Sequence, residues 1–285
     1  MKRIYNIIVF ALFCTFFTSC EADNESASSS QTVEGLSEAT VTGAAAGDGE
    51  HTFHFYTADG NLYKGYSEVF IALTNKNGNF VEDFTVDHFL PLMSMDMSKH
   101  SIPVGKVEKV NGKPLYKTWF AFLMYTGQMG GTWALDFDYT IGKTASKITG
   151  AVLSVIDVPT GQKWIQSFNS NYYASIAYPH SYVKGKQTLS AYINRKIEST
   201  NPYLIEEGGY KIVVTPYPET IGHGTSPETA TLVWNAEKGI YEGDVTFLTQ
   251  GNRRLYLNIL DTEGTPVAGD NGTESTLYWD ITVAE

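Results

Sequence analysis

Five methionines follow the initiator, and all of them lie between Met93 and Met129. Met93, Met95 and Met97 alternate with Ser94 and Asp96, so on an extended chain the three thioethers face one side. His100 follows three residues later, beside Ser101-Ile102-Pro103, where a strand is expected to end. Met124 closes a second apolar run, and Met129 sits in the glycine-rich turn Gly127-Gln-Met-Gly-Gly131. Thioethers are soft, uncharged donors that favour Cu(I) and need no deprotonation. Imidazole ligates only when neutral, so a site of this kind weakens at low pH. The cluster also fits a plainer reading. Methionine is adaptable core filler, and Asp96 leaves the other face of the segment polar.

The elements that must position these residues read as strands. Trp133, Leu135, Phe137 and Tyr139 alternate strictly with smaller or polar residues, the period of a half-buried strand. Similar runs recur at 51–56, 68–73, 116–124, 151–164, 189–193, 210–215, 241–248, 254–260 and 276–283, separated by Gly- and Asn-rich turns. No segment has the period of an amphipathic helix. Punctuation also repeats. Pro91 to His100, Leu115-Tyr116, Phe122-Leu-Met124 and Gly131-Thr-Trp133 are echoed by Tyr217 to Pro227, Gly239-Ile-Tyr241, Phe247-Leu-Thr249 and Gly251-Asn-Arg-Arg-Leu255. The expectation is an all-β chain of two antiparallel immunoglobulin-like sandwiches, over 51–145 and 146–285.

The run Pro-x-Met-x-Met-x-Met-x-x-His-x-x-Pro, followed by a Tyr-led strand and an apolar-Met turn with Gly-x-Trp, resembles the YtkA-like/FixH-like domains. Those are small immunoglobulin-like envelope modules associated with copper handling and oxidase assembly. The resemblance covers residues 51–145 and, more loosely, 205–285. It implies metal-ligand roles for Met93, Met95, Met97, His100 and Met124, with Met129 one turn further on. The second copy keeps His223 but carries Ile221 and Leu248 where methionines would be expected, and so reads as a structural or partner-binding copy.

The chain opens as an export address. Lys2 and Arg3 precede the apolar stretch Ile4–Phe17, and Phe17-Thr-Ser-Cys20 resembles a bacterial lipoprotein lipobox. That resemblance implies a signal peptide over 1–19, cleavage, and lipidation of Cys20. Glu21, Asp23 and Glu25 are similar to the surface-export signal of Bacteroidetes-type lipoproteins. Cys14 and Cys20 are the only cysteines, so the exported protein would hold no disulfide. Residues 20–50, small and polar without aromatics, read as a disordered tether.

Composition narrows the function classes. The net charge is −11, with 20 Lys+Arg against 31 Asp+Glu, and no basic cluster offsets it, which argues against a nucleic-acid partner. No Gly-x-Ser-x-Gly elbow, His-Glu-x-x-His or phosphate loop is present, so the chain does not read as an enzyme. His51 and His54 lie on opposite faces of a strand without evident carboxylate partners. His88 offers an extra ligand or a surface imidazole, and His180 a turn. Trp119 and Trp133 flank the methionines and could cap a metal or simply pack. The expected protein is an outer-membrane lipoprotein of the cell envelope, held to the membrane by lipid on Cys20. It would bind Cu(I) for transfer, storage or tolerance and exchange it with another envelope protein. The rival expectation is a surface adhesin or ligand-uptake module whose methionines only pack a core, and the 13% aromatic content would allow carbohydrate binding if rings are exposed.

Overall fold

The computed structural model describes residues 33–179, 181–218, 229–269 and 275–285, all within one compact unit. Cys20 and its signal, His180, and the turn carrying Ile221 and His223 lie outside the described residues. The first half contains β1 (Ser37–Glu38), β2 (Val41–Thr42), β3 (His51–Thr57), β4 (Leu62–Tyr63), β5 (Gly65–Asn75) and β6 (Phe84–Met95). It continues with β7 (Ser98–His100), β8 (Glu108–Lys109), β9 (Tyr116–Phe122), β10 (Thr132–Ile141), β11 (Thr144–Leu153) and β12 (Val155–Ile156). The second half contains β13 (Ile165–Phe168), β14 (Tyr172–Tyr178), β15 (Tyr182–Val183), β16 (Gly185–Arg195), β17 (Leu204–Ile205) and β18 (Tyr210–Pro218). It ends with β19 (Ala230–Asn235), β20 (Ile240–Phe247), β21 (Gly251–Asp261), β22 (Pro266–Ala268) and β23 (Tyr278–Ala284).

The strand order is that of an immunoglobulin sandwich, present in both halves. In the first, one sheet runs β1-β3-β5-β9-β8 and the other β2-β11-β10-β6-β7. With β1 and β2 as added edge strands, these are the ABED and C′CFG orders of that fold. In the second, β13-β14-β16-β20 and β18-β21-β23 repeat the pattern, and β19 pairs with both β20 and β18 where the first half uses the separate strands β7 and β8. A further detail recurs. β4, between β3 and β5, pairs parallel to β12, and β15, between β14 and β16, pairs parallel to β23.

Each half has its own core. Trp133, Leu135, Phe137 and Tyr139 all point inward from β10, as their alternation requires; Phe137 packs against Phe53, Phe55 and Phe89, and Trp133 against Phe122. Trp279, Tyr241 and Phe247 centre the second core. A third cluster joins the halves through the outer faces of β5 and β9 and of β14, β16 and β20. There Trp119 stacks on Tyr192 at 4.2 Å, and Tyr66 lies against both. Strand β5 is thus covered on two faces, Val69, Ile71 and Leu73 inside and Tyr66 outside.

The tether ends earlier than expected. Residues 33–50 are part of the first sandwich. Ser37 and Glu38 pair with Thr57 and Tyr56, Val41 and Thr42 pair with β11, and Ala39, Ala44 and Ala46 are buried. The physical reason is size. The three alanines bury small apolar side chains against the first core, so the segment docks without the aromatic content that normally marks a strand. The first core likewise runs on through Ile148, Leu153 and Val155, past residue 145.

Candidate functional site

Strands β10, β6 and β7 lie side by side, and their register sets Trp133, Met93 and His100 opposite one another. Directly opposed residues on antiparallel strands share a face, so the three form one inward row. Met93 and Trp133 are fully enclosed. The His100 imidazole meets the Trp133 indole edge to face, with centroids 5.3 Å apart and planes at 89°. Gly131 makes room for the thioether, since a Cβ there would fall 2.4 Å from Met93 Cε and 3.0 Å from its Sδ. The Trp133 Nε1–H donates to the Met124 carbonyl at 3.0 Å and holds that loop against the row. Met95 and Met124 are partly buried against the same core.

His100 is fixed in one tautomer. Its Nδ1–H donates to the Ser101 carbonyl at 2.9 Å, which leaves Nε2 as the acceptor nitrogen. Nε2 is buried and has no hydrogen-bond partner among the described residues. Burial pushes the imidazole pKa below its ordinary 6.5. The Ser101 carbonyl opposes that shift and the Lys196 charge adds to it. The shift favours the neutral ring, whose Nε2 then carries the free lone pair.

The rest of the expected ligand set separates. Strand β6 ends at Met95, and Asp96 and Met97 make the reversal into β7, so the alternation that would have turned Met97 inward stops two residues short of it. Met97 is 97% exposed. Met129 lies in the 3₁₀ turn Gln128–Gly130 at φ 51° and is 78% exposed. Neither joins the row. His88 is exposed, at the bulge in β6, with Nδ1 2.9 Å from Asp138 Oδ2. Two carboxylate partners went unseen in the sequence because they lie in the segment expected to be a tether. Asp48 holds His51 at 2.7 Å, and Glu38 holds His54 at 2.6 Å. Among the described residues no cluster of three or more His, Cys, Asp or Glu could hold a metal.

No family model matches this chain, and no curated protein does. Among solved structures, the chain is similar to FdeC, an Escherichia coli adhesin, at 14% identity and a TM-score of 0.26 over 89% of this chain and 88% of that one. It is also similar to E. coli alpha-2-macroglobulin at 11% identity and a TM-score of 0.26. That match covers 88% of this chain, and the chain spans only 15% of the macroglobulin's length. The immunoglobulin-like architecture stands on the strand order and parallel edge pairs described above.

Proposed function

We propose that this is a lipid-anchored envelope protein that binds Cu(I) at the corner formed by β6, β7 and β10. His100 Nε2 and the Met93 thioether would hold the ion, Met95 and Met124 would complete the soft donor set, and Trp133 would close one side. The carrying observation is the buried, unpartnered Nε2 facing the same interior as its cross-strand neighbour Met93. A buried acceptor without a partner costs stability, and a soft cation would satisfy it. His100 and Met95 are each only partly buried, which gives an ion a way in. Bound there, Cu(I) would be carried or stored, since thioether and imidazole ligands bind it reversibly. The lipobox-like Phe17-Thr-Ser-Cys20 supports the membrane anchor, and Cys20→Ala should move the protein into the soluble fraction.

The test is an anaerobic Cu(I) titration of the full chain against bathocuproine disulfonate. Cys14 and Cys20 are replaced by Ser so that no thiol competes. Competition at one ion per chain, lost in His100→Ala, is the expected result. Absence of competition, or competition unchanged by His100→Ala, overturns the metal reading and leaves an interaction module.

A further inference from the structure

A cleft of about 570 Å³ opens where the two sandwiches meet, far larger than a water site and within the range of small-ligand pockets. Tyr63 and Trp164 form an aromatic corner there, one ring from each half, with centroids 5.4 Å apart and planes at 57°. Both rings are partly exposed. Gly65 is required for that corner, since a Cβ would fall 2.9 Å from Trp164 Cβ, and its φ of 99° suits glycine alone.

The polar groups around the rings are held in place before any ligand arrives. Asp59 accepts from the Tyr63 hydroxyl at 2.7 Å and from the Asn61 backbone N–H at 3.0 Å. Gln162 accepts from the Trp164 indole N–H at 2.7 Å, and its amide donates to the Thr282 hydroxyl at 3.4 Å. Ser67 accepts from the Tyr63 backbone N–H at 2.9 Å. Further in, Tyr66 and Tyr178 hydroxyls lie 2.9 Å apart, and Tyr178 donates to Glu68, which also faces Lys117 at 3.3 Å.

The chemistry of the lining selects its ligand. Among the described lining residues there is no Lys, Arg or His, while Asp59 and Glu68 are present. The lining therefore offers an anion no cationic partner. The remaining polar lining is neutral, made of hydroxyls and amides that both donate and accept. A carbohydrate ring has an apolar C–H face that suits an aromatic wall and a rim of hydroxyls that suits such groups. A carboxylate already fixed by two donors still has lone pairs for a sugar hydroxyl. We infer that this cleft is a binding site for a neutral saccharide, seated on Tyr63 and Trp164 and oriented by Asp59, Asn61 and Gln162. The site is separate from the His100 corner and independent of it.

The full chain is applied to an array of neutral mono- to tetrasaccharides. The best binder is then titrated while tryptophan fluorescence is followed. Binding should perturb that fluorescence, and Tyr63→Ala and Gln162→Ala should each weaken it about tenfold or more. Both side chains are partly exposed, so the thermal melt of each variant should stay close to that of the parent. His100→Ala should leave saccharide affinity unchanged. Choline serves as the competing probe, because aromatic rings beside carboxylates also suit an organic cation. Binding of choline without any saccharide, binding of no saccharide at all, or saccharide binding that both folded variants retain would each overturn the proposal.

Discussion

His100 and Met93 are cross-strand partners in the β6–β7 hairpin, and Trp133 extends their row onto β10. The hairpin therefore sets an imidazole and a thioether on one face of the sheet from positions seven residues apart in the chain. The short reversal that makes this pairing also removes Met97 from it. One local event thus selects which sulfur is inside and which is in solvent.

That selection predicts an ordered set of variants. Met93→Leu and Met95→Leu conserve volume and should cost less than about 1.5 kcal/mol of stability each. Both should weaken Cu(I) binding by at least about tenfold. Met97→Leu and Met129→Leu, at exposed positions, should change neither quantity. Chelator competition and thermal melts on the four variants check the order. Equal losses at Met93 and Met97 would contradict the assignment.

The pH dependence follows from the depressed pKa of His100. The folded protein favours the neutral ring, so this group's contribution to stability is fully present above the unfolded value near 6.5. It is lost as pH falls through the lower folded value. Without metal, the melting temperature of the wild type should drop over that interval, and that part of the drop should vanish in His100→Gln. Cu(I) affinity should fall by about tenfold per pH unit once the ring protonates. An affinity that stays flat down to the pH of unfolding would place the ligand elsewhere.

Gly131 carries no unusual backbone angle, with φ at −79°, yet its side of the chain touches Met93. Gly131→Ala should force the buried Met93 side chain to move and cost about 1–3 kcal/mol, the usual price of overpacking. Urea denaturation measures this. The double variant Gly131→Ala/Met93→Ala should recover part of the loss, and no recovery would mean the contact is not the cause.

Removing residues 1–50 tests the revised start of the fold. A chain beginning at His51 loses β1 and β2, the burial of Ala39, Ala44 and Ala46, and the Glu38 partner of His54. It should be less stable than a chain beginning at Gln31 by on the order of 2–3 kcal/mol. Equal denaturation midpoints for the two would mean that the segment is dispensable.

Strand identity was legible wherever alternation was strong. Trp133 to Tyr139 reads as an inward-facing strand because the period of two is a property of neighbouring residues, and the structure buries those four side chains as that period demands. Residues 33–50 were not legible as structure, because alanines and short polar residues carry no local strand signal and dock only when a sheet edge is already there. The candidate corner was legible in part. Spacing put Met93 and Met95 on one face, but no local rule places the reversal after Met95 or turns the Met124 loop toward Trp133.

Composition and residue order alone determined an all-β fold, a net negative charge, and the confinement of the methionines after the initiator to 93–129, a stretch that includes His100. Tertiary structure decided which donors meet, how far the first sandwich extends, and that Tyr63 and Trp164, about a hundred residues apart, form one corner. The division has a physical cause. Side-chain alternation follows from backbone geometry between adjacent residues, whereas register, reversals and the contact between sandwiches are settled by packing among residues distant in sequence.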